Sequence, residues 1–444
     1  MNLDNALEIM YKCANDAAVD QFDIIASNSE DCSVTVYKGK VKETEISSSQ
    51  GIGIRIFHEG RPGYSFTRSF SDTALRQCIK DAKELSRFSA KVDFQLPSVA
   101  PIDNRNLQLW NDDLENITSA ELLELSFEIE KNAEKSHKLV ENVLSSAAGK
   151  SASRFSLLNS NGLRWNSRRN SAMAGVSLVA AKGDIKKSGA KYKGSRNFAD
   201  FDASKLAAVA AEKAVGLLDA QAIPAGTYPV MFDNYMSAGI IKPFMSAIYA
   251  NTVQKGQSKL KDKVGEIIAS DCLSLYNDPF VIGMPGSGLI DSEGVHAQKF
   301  DVIKKGRLLT YLYNLESAHK AGRSSTGSGN RSYTGKAGTG FDNLFVEKGN
   351  RSRQEILNSL DKCLLVTKFE GSGIRSATSG EISLGIQGFL YEKGVMVQAV
   401  DRVTISGNYF ELLKEISEFS NEYNESFSAS KVPDMLISKM TISC

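Results

Sequence analysis

The spacing of apolar side chains predicts alternating helices and strands in the first half of the chain. Apolar residues recur every three or four positions over residues 3–17 and 75–85, a pattern typical of helices with one buried face. Thr118 with Glu121 forms a capping-box signature before a third helix, and an alanine-rich fourth helix spans residues 202–218. Alternating apolar and polar residues predict strands at 22–27, 32–37, 40–47 and 51–57, and several more within 139–181.

The second half of the chain is predicted to be mostly β. Strands separated by glycine turns are predicted at 228–232, 265–269, 272–276, 297–303, 307–313, 364–369 and 435–442, with a hairpin that turns at 392–394. Helices are predicted at 236–249, where Pro243 is awkward unless it lies near the helix start or a kink, and at 354–360. A last helix is predicted to bury Phe410, Leu413, Ile416 and Phe419 on its inner face.

These elements predict an α+β protein with two domains. The N-terminal domain, residues 1–222, is expected to place helices on an antiparallel sheet, with an extended connector near residues 89–117. The C-terminal domain, residues 223–444, is expected to be mostly antiparallel β, in a barrel-like or curved sheet with a few helices. The Ile-Pro-Ala-Gly segment at 223–226 marks the predicted boundary.

Composition narrows the class of protein. The 53 basic and 52 acidic residues leave a net charge of +1, so no overall field favours nucleic acid or a membrane surface. No apolar run approaches the roughly 20 residues that span a bilayer, and the N-terminus does not resemble a signal peptide. The six cysteines form no CxxC pair, and this usage predicts a reducing cytoplasm.

The sequence lacks several common catalytic and cofactor-binding motifs. Gly149-Lys150-Ser151 resembles the end of a phosphate-binding loop, but Leu144 stands where the first glycine is needed. The GxG pairs lack the third glycine of a dinucleotide fingerprint, and no serine lies in GxSxG. The four histidines, His58, His137, His296 and His319, lack the spacing that puts two imidazoles on one helix face around zinc.

Two charged features leave alternatives open. A basic run at residues 182–196 offers a contact surface for nucleic acid, but a solvated sheet face is favoured because no aromatic residues interleave with the lysines. Asp291 and Glu293 form a pair suited to acid and base catalysis without a metal, although DSEG is more often a turn.

A glycine-rich loop followed by a hairpin stands out at residues 369–408. Gly371, Gly373 and Gly380 permit backbone angles and close approaches that side chains resist. Such a Ser/Thr loop at the start of a strand suits main-chain recognition of another polypeptide. The competing interpretation is a structural hairpin with an awkward loop.

Several segments together resemble the TldD/PmbA family. They are DSEGV at 291–295, IKKGRLLTYLYN at 303–314, STGSGN at 325–330, TSGEISLGIQGFLYEKG at 378–394 and TISGN at 404–408, in the family's order and approximate spacing. The hairpin region at 37–65 is similar as well, so the resemblance runs from about Cys32 to the end of the chain.

The resemblance implies a two-chain zinc protease that trims unfolded peptides, with the metal in the TldD-type chain. That chain holds zinc with a HExxxH helix and a downstream cysteine, and the glutamate activates a water. Here Lys242, Pro243 and Ala247 occupy the three motif positions, and no cysteine lies near residues 420–422. The chain therefore resembles the PmbA/TldE branch, and we expect no catalytic residue, metal or cofactor in it.

On this resemblance, the expected partner is a TldD-type catalytic chain, with a homodimer as the alternative when the chain is isolated. Extended peptides are expected to bind as an added strand, through main-chain hydrogen bonds. The candidate binding residues are Gly371, Gly373, Ser379, Gly380, Glu381 and Ser383. The alternative function is a stand-alone regulatory protein, such as a modulator of DNA gyrase or of a toxin–antitoxin system.

Overall fold

The computed structural model describes residues 2–99, 104–371 and 379–443. Its first half contains five helices: α1 (Leu3–Asn15), α2 (Asp72–Ser86), α3 (Asp112–Asn116), α4 (Ser119–Lys135) and α5 (Ala203–Val215). It also contains six strands: β1 (Gln21–Tyr37), β2 (Lys40–His58), β3 (Arg61–Thr67), β4 (Val140–Asn159), β5 (Arg164–Lys182) and β6 (Ile185–Ser195). The short strands predicted between residues 22 and 57 are thus two long continuous ones.

The six strands form one antiparallel sheet in the order β3-β2-β1-β4-β5-β6. The turn between β1 and β2 uses Lys38 and Gly39, both with positive φ, which matches the twist of the flanking strands. Helices α1 and α2 bury their apolar faces against one part of the sheet, around Ile24 and Ile54. Helices α4 and α5 cover another part around Val34 and Val176.

Side-chain caps fix the starts of two helices in the first half. Ser71 caps α2 by accepting from the Ala74 N–H, and Thr118 and Glu121 form the predicted capping box of α4. Between these helices, residues 90–99 and 104–111 form neither helix nor strand, and the end of the predicted extended connector folds instead as α3. Gln21 binds the connector by donating to the Phe94 carbonyl and accepting from the Leu96 N–H. The connector is therefore fastened to the sheet rather than loose.

The second half contains thirteen strands and five helices among the residues that the structure describes. The strands are β7 (Gly226–Phe232), β8 (Leu275–Asn277), β9 (Phe300–Lys304), β10 (Arg307–Leu308), β11 (Gly329–Asn330), β12 (Gly338–Thr339), β13 (Leu344–Val346), β14 (Cys363–Glu370), β15 (Glu381–Glu392), β16 (Val395–Asn408), β17 (Ile416–Tyr423), β18 (Ser430–Lys431) and β19 (Pro433–Ser443). The helices are α6 (Asn234–Phe244), α7 (Ala250–Gln254), α8 (Leu315–Lys320), α9 (Arg353–Asn358) and α10 (Tyr409–Leu412).

Five of these strands close into a barrel. The order is β16-β15-β14-β7-β19, and β19 pairs back onto β16 through Ile405 and Ile442. Strand β17 pairs with the remaining edge of β19. Only the β14–β7 pair within this sheet is parallel, and the interior holds apolar side chains such as Val230, Leu384 and Ile437. The predicted α+β class with a barrel-like C-terminal sheet is confirmed.

The prediction of a helix through residues 410–419 is wrong. Helix α10 ends at Leu412, and the chain then extends as β17, which pairs with β19. The apolar spacing of three fits a helix locally, but the exposed edge of β19 takes these residues as a strand, so tertiary pairing overrides the local pattern. Pro243 lies inside the last turn of α6, and the predicted helix changes there to a 3-10 turn at Met245–Ile248.

Several predicted strands of the second half are shorter than expected. Residues 265–269 contribute only a single bridge, Ile267 with Arg307, and the strand predicted at 307–313 is limited to β10. The predicted boundary at 223–226 leads directly into β7, and the division into two domains stays a prediction. Of the helices in the described residues, none is long and apolar enough to cross a membrane.

Candidate functional site

The predicted peptide-binding residues lie where β14 ends and β15 begins. Gly371 follows β14 with a positive φ of 88°, and no described residue lies within 4 Å of where its Cβ would be. Gly373 lies outside the described residues. The Ser379 carbonyl accepts hydrogen bonds from Lys259 Nζ and Asn408 Nδ2, both at 2.8 Å. Four of the described candidates, Ser379, Gly380, Glu381 and Ser383, thus lie together at the start of β15.

Gly380 has a structural reason to be glycine. Its φ is +76°, and a Cβ at this position would lie 2.6 Å from Phe410 Cδ2 and 2.9 Å from Asn408 Oδ1. Its carbonyl accepts a hydrogen bond from the Tyr409 N–H at 2.7 Å. The structural interpretation of this glycine therefore gains direct support.

Strand β15 begins with a half-paired segment. Glu381 and Ser383 are exposed and pair with Asn408 and Ser406 of β16. On the other side, the β14 ladder ends where Glu370 meets Gly385. Within the described ranges, no strand pairs with residues 381–384 on that side.

The helix that follows β7 carries the positions where the family resemblance places a zinc motif. Lys242 is exposed, and its Nζ lies 3.2 Å from Ser428 Oγ. Pro243 has no side-chain donor atom, and Ala247 is buried with 1% exposure. An ammonium, a proline ring and a methyl group do not fit Zn²⁺, which needs imidazole, thiolate or carboxylate ligands.

Residues 420–422, where the resemblance places the downstream zinc ligand, include a residue with a structural role. Ser420 is fully buried in β17, and its Oγ accepts from the Asp434 N–H at 3.0 Å. Among residues 2–99, 104–371 and 379–443, no three His, Cys, Asp or Glu side chains group as metal ligands. The chain's residues in this region thus do not fit the zinc site of the catalytic branch.

A buried ionic network joins the two halves of the chain. Arg55 on β2 binds Asp23 on β1 and, at 2.7 Å, Glu293, while Arg331 also binds Asp23. All four side chains are at most 1% exposed, so two arginines and two carboxylates balance one another in the interior. Sequence reasoning missed this network, because nothing in the local pattern links residues so far apart.

The structure shows how the Asp291/Glu293 pair is held. Asp291 accepts backbone hydrogen bonds from Glu293, Val295 and Gly329 at 2.7–2.9 Å. Burial and the neighbouring Glu293 carboxylate raise the pKa of Asp291 well above its usual range. Glu293 binds Arg55 and the Leu315 N–H. These carboxylates thus stabilise a turn and the network, the turn role that the DSEG sequence favours.

The basic run at residues 182–196 is largely engaged within the protein. Four of its cations bind acids or carbonyl groups: Lys182 binds Asp219, Lys186 binds Glu141, Lys187 binds Asp401, and Arg196 binds the carbonyls of Leu109, Asn170 and Gly283. Ion pairs and carbonyl contacts satisfy these charges, so the run gives little support to a nucleic-acid surface.

Comparison with protein-family models matches three consecutive segments. Residues 22–86 match the PmbA/TldA metallopeptidase domain 1, and residues 112–218 match the central domain of the same family. Residues 225–444 match the PmbA/TldA metallopeptidase C-terminal domain.

Individual relatives agree with these matches. A protein named Metalloprotease PmbA from Escherichia coli O157:H7 is 26% identical over 91% of this chain and 88% of its own length. Metalloprotease from Methanothermobacter thermautotrophicus is 25% identical over 91% and 89%. The crystal structure of TldE from Thermococcus kodakarensis has the same fold, with a TM-score of 0.88 and 22% identity over 99% of this chain and all of that one. A Thermotoga maritima structure, described in connection with DNA gyrase modulation, has a TM-score of 0.90 and 24% identity over the whole of both chains.

Proposed function

This chain belongs to the PmbA/TldD metallopeptidase family, and from that premise we propose that it is the non-catalytic subunit of a two-chain zinc protease. The observation that carries the proposal is the side-chain set on and after α6, where Lys242, Pro243 and Ala247 replace every residue that could bind zinc or activate a water. The metal and the general base then belong to a TldD-type partner chain. Five free cysteines among the described residues suit a reducing cytoplasm.

The subunit's contribution is to hold an extended peptide for the partner. Support comes from residues 381–384, which have no strand partner among the described residues on the side where the β14 ladder has ended, and from the exposure of Glu381 and Ser383. A peptide that adds there is recognised by its backbone, so selectivity for sequence is low and folded chains are rejected. The glycines at 371 and 380 shape the entry to this strand.

Reconstitution with a HExxxH-bearing homologue tests the proposal. The chain is purified alone and together with the partner, and bound zinc and cleavage of an unfolded peptide are measured in each sample. We expect zinc and activity only where the partner is present, and higher activity when this chain is added.

A matched control carries a Gln in place of the partner's HExxxH glutamate, and we expect the complex to form without cleavage. Stoichiometric zinc and peptidase activity in this chain alone would contradict the proposal. The proposal would also be contradicted if adding this chain changed neither the peptidase activity of the partner nor the mass of the particle it forms.

A further inference from the structure

A cavity of about 500 Å³ lies between α5 and the outer face of the barrel. Lys213 on α5 and Leu217 just beyond the helix line it from the first half of the chain. On the opposite wall, Leu365 of β14 pairs directly with Phe389 of β15, and Tyr391 lies two residues further along, so their side chains share one face of the sheet. A cavity with apolar walls between two parts of a fold is typical of a small-molecule site.

One carboxylate in this cavity, that of Asp233, has an oxygen without a protein partner. Asp233 caps α6, and the Tyr235 and Met236 N–H groups both donate to its Oδ1. Within the described residues, no group donates to its Oδ2. Arg353 also lines the cavity, but its guanidinium is held by Asp434 through hydrogen bonds of 2.6 and 3.0 Å. Burial raises the pKa of Asp233 to about 6, because its surroundings do not balance its charge.

Two lysines of the cavity, Lys213 and Lys368, also lack a charged partner. The Lys213 ammonium lies 3.5 Å from the Ala190 carbonyl, and the Lys368 ammonium lies 3.5 Å from the Ser188 hydroxyl. Both distances exceed the usual range of about 2.7–3.2 Å for such hydrogen bonds. Across the ranges that the structure describes, neither ammonium lies within 4.0 Å of a carboxylate. Burial and the neighbouring Lys191 lower the pKa of Lys213, so its charge is also unbalanced.

Charges of opposite sign thus line one cavity without forming a pair. Contacts made for structural reasons alone would be expected to join Asp233 to a lysine, since a partly buried charge without a partner costs free energy. Glu212, the other carboxylate of the lining, is exposed, so water balances its charge. The unpaired groups therefore suit a ligand that carries a cation and an anion at separate atoms and an apolar group beside them.

Ligands with a single charge fit this cavity less well. At pH 7 most of the Asp233 carboxyl is ionised and repels a simple anion, and the two lysines repel a simple amine. A free amino acid or dipeptide carries both charges, and a leucine side chain adds an apolar group for the wall at Leu365 and Phe389. An extended dipeptide spans about 7 Å, which a cavity of about 500 Å³ accommodates.

We propose that the cavity between α5 and the barrel binds a small zwitterion with an apolar side chain, a free dipeptide or amino acid. The carboxylate of the ligand pairs with Lys213 and Lys368, and its ammonium pairs with Asp233 Oδ2. The site is separate from the candidate residues 379–383, because Phe389 lies towards the other end of β15. Such zwitterions are products of peptide hydrolysis, so the inference rests on the proposed function for the source of the ligand, but not for its binding.

Calorimetric titration of the full-length chain at pH 7, without any partner, tests this inference. The probes are leucine and the dipeptide Leu-Leu, which distinguish the two sources of the zwitterion. We expect saturable binding of at least one of them at a single site. For the dipeptide, N-acetyl-Leu-Leu lacks the ammonium and Leu-Leu-amide lacks the carboxylate. Each blocked form should bind about tenfold or more weaker than the zwitterion, because one charged end is then without its partner.

Variants assign the two ends of the ligand. K213Q should weaken the binding of the zwitterion about tenfold and leave that of Leu-Leu-amide unchanged, since the amide has no carboxylate to lose. D233N should weaken the zwitterion to a similar extent and leave N-acetyl-Leu-Leu unchanged. The matched control is K205Q, because Lys205 lies on the same helix but outside the cavity, 3.9 Å from Glu425. It should bind like the unmodified chain, and circular dichroism confirms that each variant is folded.

Three results would overturn the inference: no binding of either zwitterion at millimolar concentration, equal affinity for the blocked forms, or the same loss in K205Q as in K213Q. Zwitterion binding by a chain that adds nothing to a TldD-type partner would refute the proposed function while leaving this site intact. A chain that activates the partner but binds neither leucine nor Leu-Leu would refute this inference alone.

Discussion

Gly380 combines two requirements at a single residue. Its positive φ is a conformation that β-branched residues avoid, and Phe410 and Asn408 occupy the space where a Cβ would project. Ser379 differs, because the contacts from Lys259 and Asn408 reach its backbone carbonyl, which any residue provides. The two neighbours should therefore respond very differently to substitution.

We expect G380V to lower the free energy of unfolding by roughly 2–5 kcal/mol, from backbone strain and from the clash with the Phe410 ring. S379A should change it by no more than about 0.5 kcal/mol. Chemical denaturation monitored by circular dichroism measures both. Equal stability of the two variants would show that the loop relaxes around a side chain at position 380.

Asp233 makes stability depend on pH. Burial raises the pKa of this carboxyl to about 6, although it caps α6 by accepting from the Tyr235 and Met236 N–H groups. The folded state therefore holds the Asp233 proton more tightly than the unfolded chain. Its contribution to stability is full below pH 4 and is lost as the pH rises from about 4 through 6.

The D233N variant should remove this loss, because the amide stays neutral and its Oδ1 can still accept both N–H bonds. At pH 8 we expect it to unfold with a free energy higher by about 1–3 kcal/mol than that of the unmodified chain. Near pH 4 the two proteins should be equal within about 0.5 kcal/mol. Denaturant titrations at the two pH values provide the comparison, and a gain of the same size at both would rule out ionisation as the cause.

At the level of elements, the sequence predicts best those features that depend only on residues close together in the chain. Caps at Ser71 and Thr118 and the hairpin turn at Lys38-Gly39 depend on neighbouring residues alone, and all were predictable. Strand β17 was not, because its conformation depends on the distant edge of β19. The closure of the barrel through Ile405 and Ile442 likewise leaves no local signal.

The candidate sites divide in the same way. A glycine-rich start of β15 and an empty zinc motif on α6 could be found from sequence, because each is a short contiguous segment. The Asp23–Arg55–Glu293–Arg331 network could not, because its members come from both halves of the chain and meet only in the fold. Charged residues in isolation indicate a surface, and only their burial shows that they pair.

The pairing of β17 with β19 is irregular, and the Ser420 side chain replaces a missing backbone acceptor there. The register shifts between Phe419 and Tyr423, and the Asp434 N–H donates to Ser420 Oγ instead of to a ladder carbonyl. We expect S420A to cost about 1–3 kcal/mol, since it leaves a buried N–H without an acceptor. S417A, which removes a longer 3.3 Å hydrogen bond to Leu436, should cost about 1 kcal/mol or less. Thermal unfolding of the two variants measures the difference. An equal loss of stability in both would contradict the role of Ser420 as the acceptor for the Asp434 N–H.

At the scale of the molecule, the two halves of the chain are joined by buried ion pairs and apolar contacts that neither half can form alone. Arg55 and Asp23 in the first half meet Glu293 and Arg331 in the second, all away from solvent. Beside them Ile25, Leu157 and Leu163 pack against Ile290 and Tyr333. Separation would leave charges and apolar side chains exposed on both fragments, even though each fragment holds its own sheet.

We therefore expect fragments 1–222 and 223–444 to aggregate when produced separately and to co-purify as a folded complex when produced together. R55Q in the first fragment should weaken the complex by about 3–5 kcal/mol, because Glu293 then remains buried without its cation and Asp23 keeps only Arg331. R76Q is the control, since the Arg76–Asp72 pair is exposed and contributes about 0–1 kcal/mol. Size-exclusion chromatography and denaturant titration of the co-purified fragments give both values. Two fragments that each unfold cooperatively and do not associate would contradict this expectation. They would show that the two domains are stable independently of the buried network.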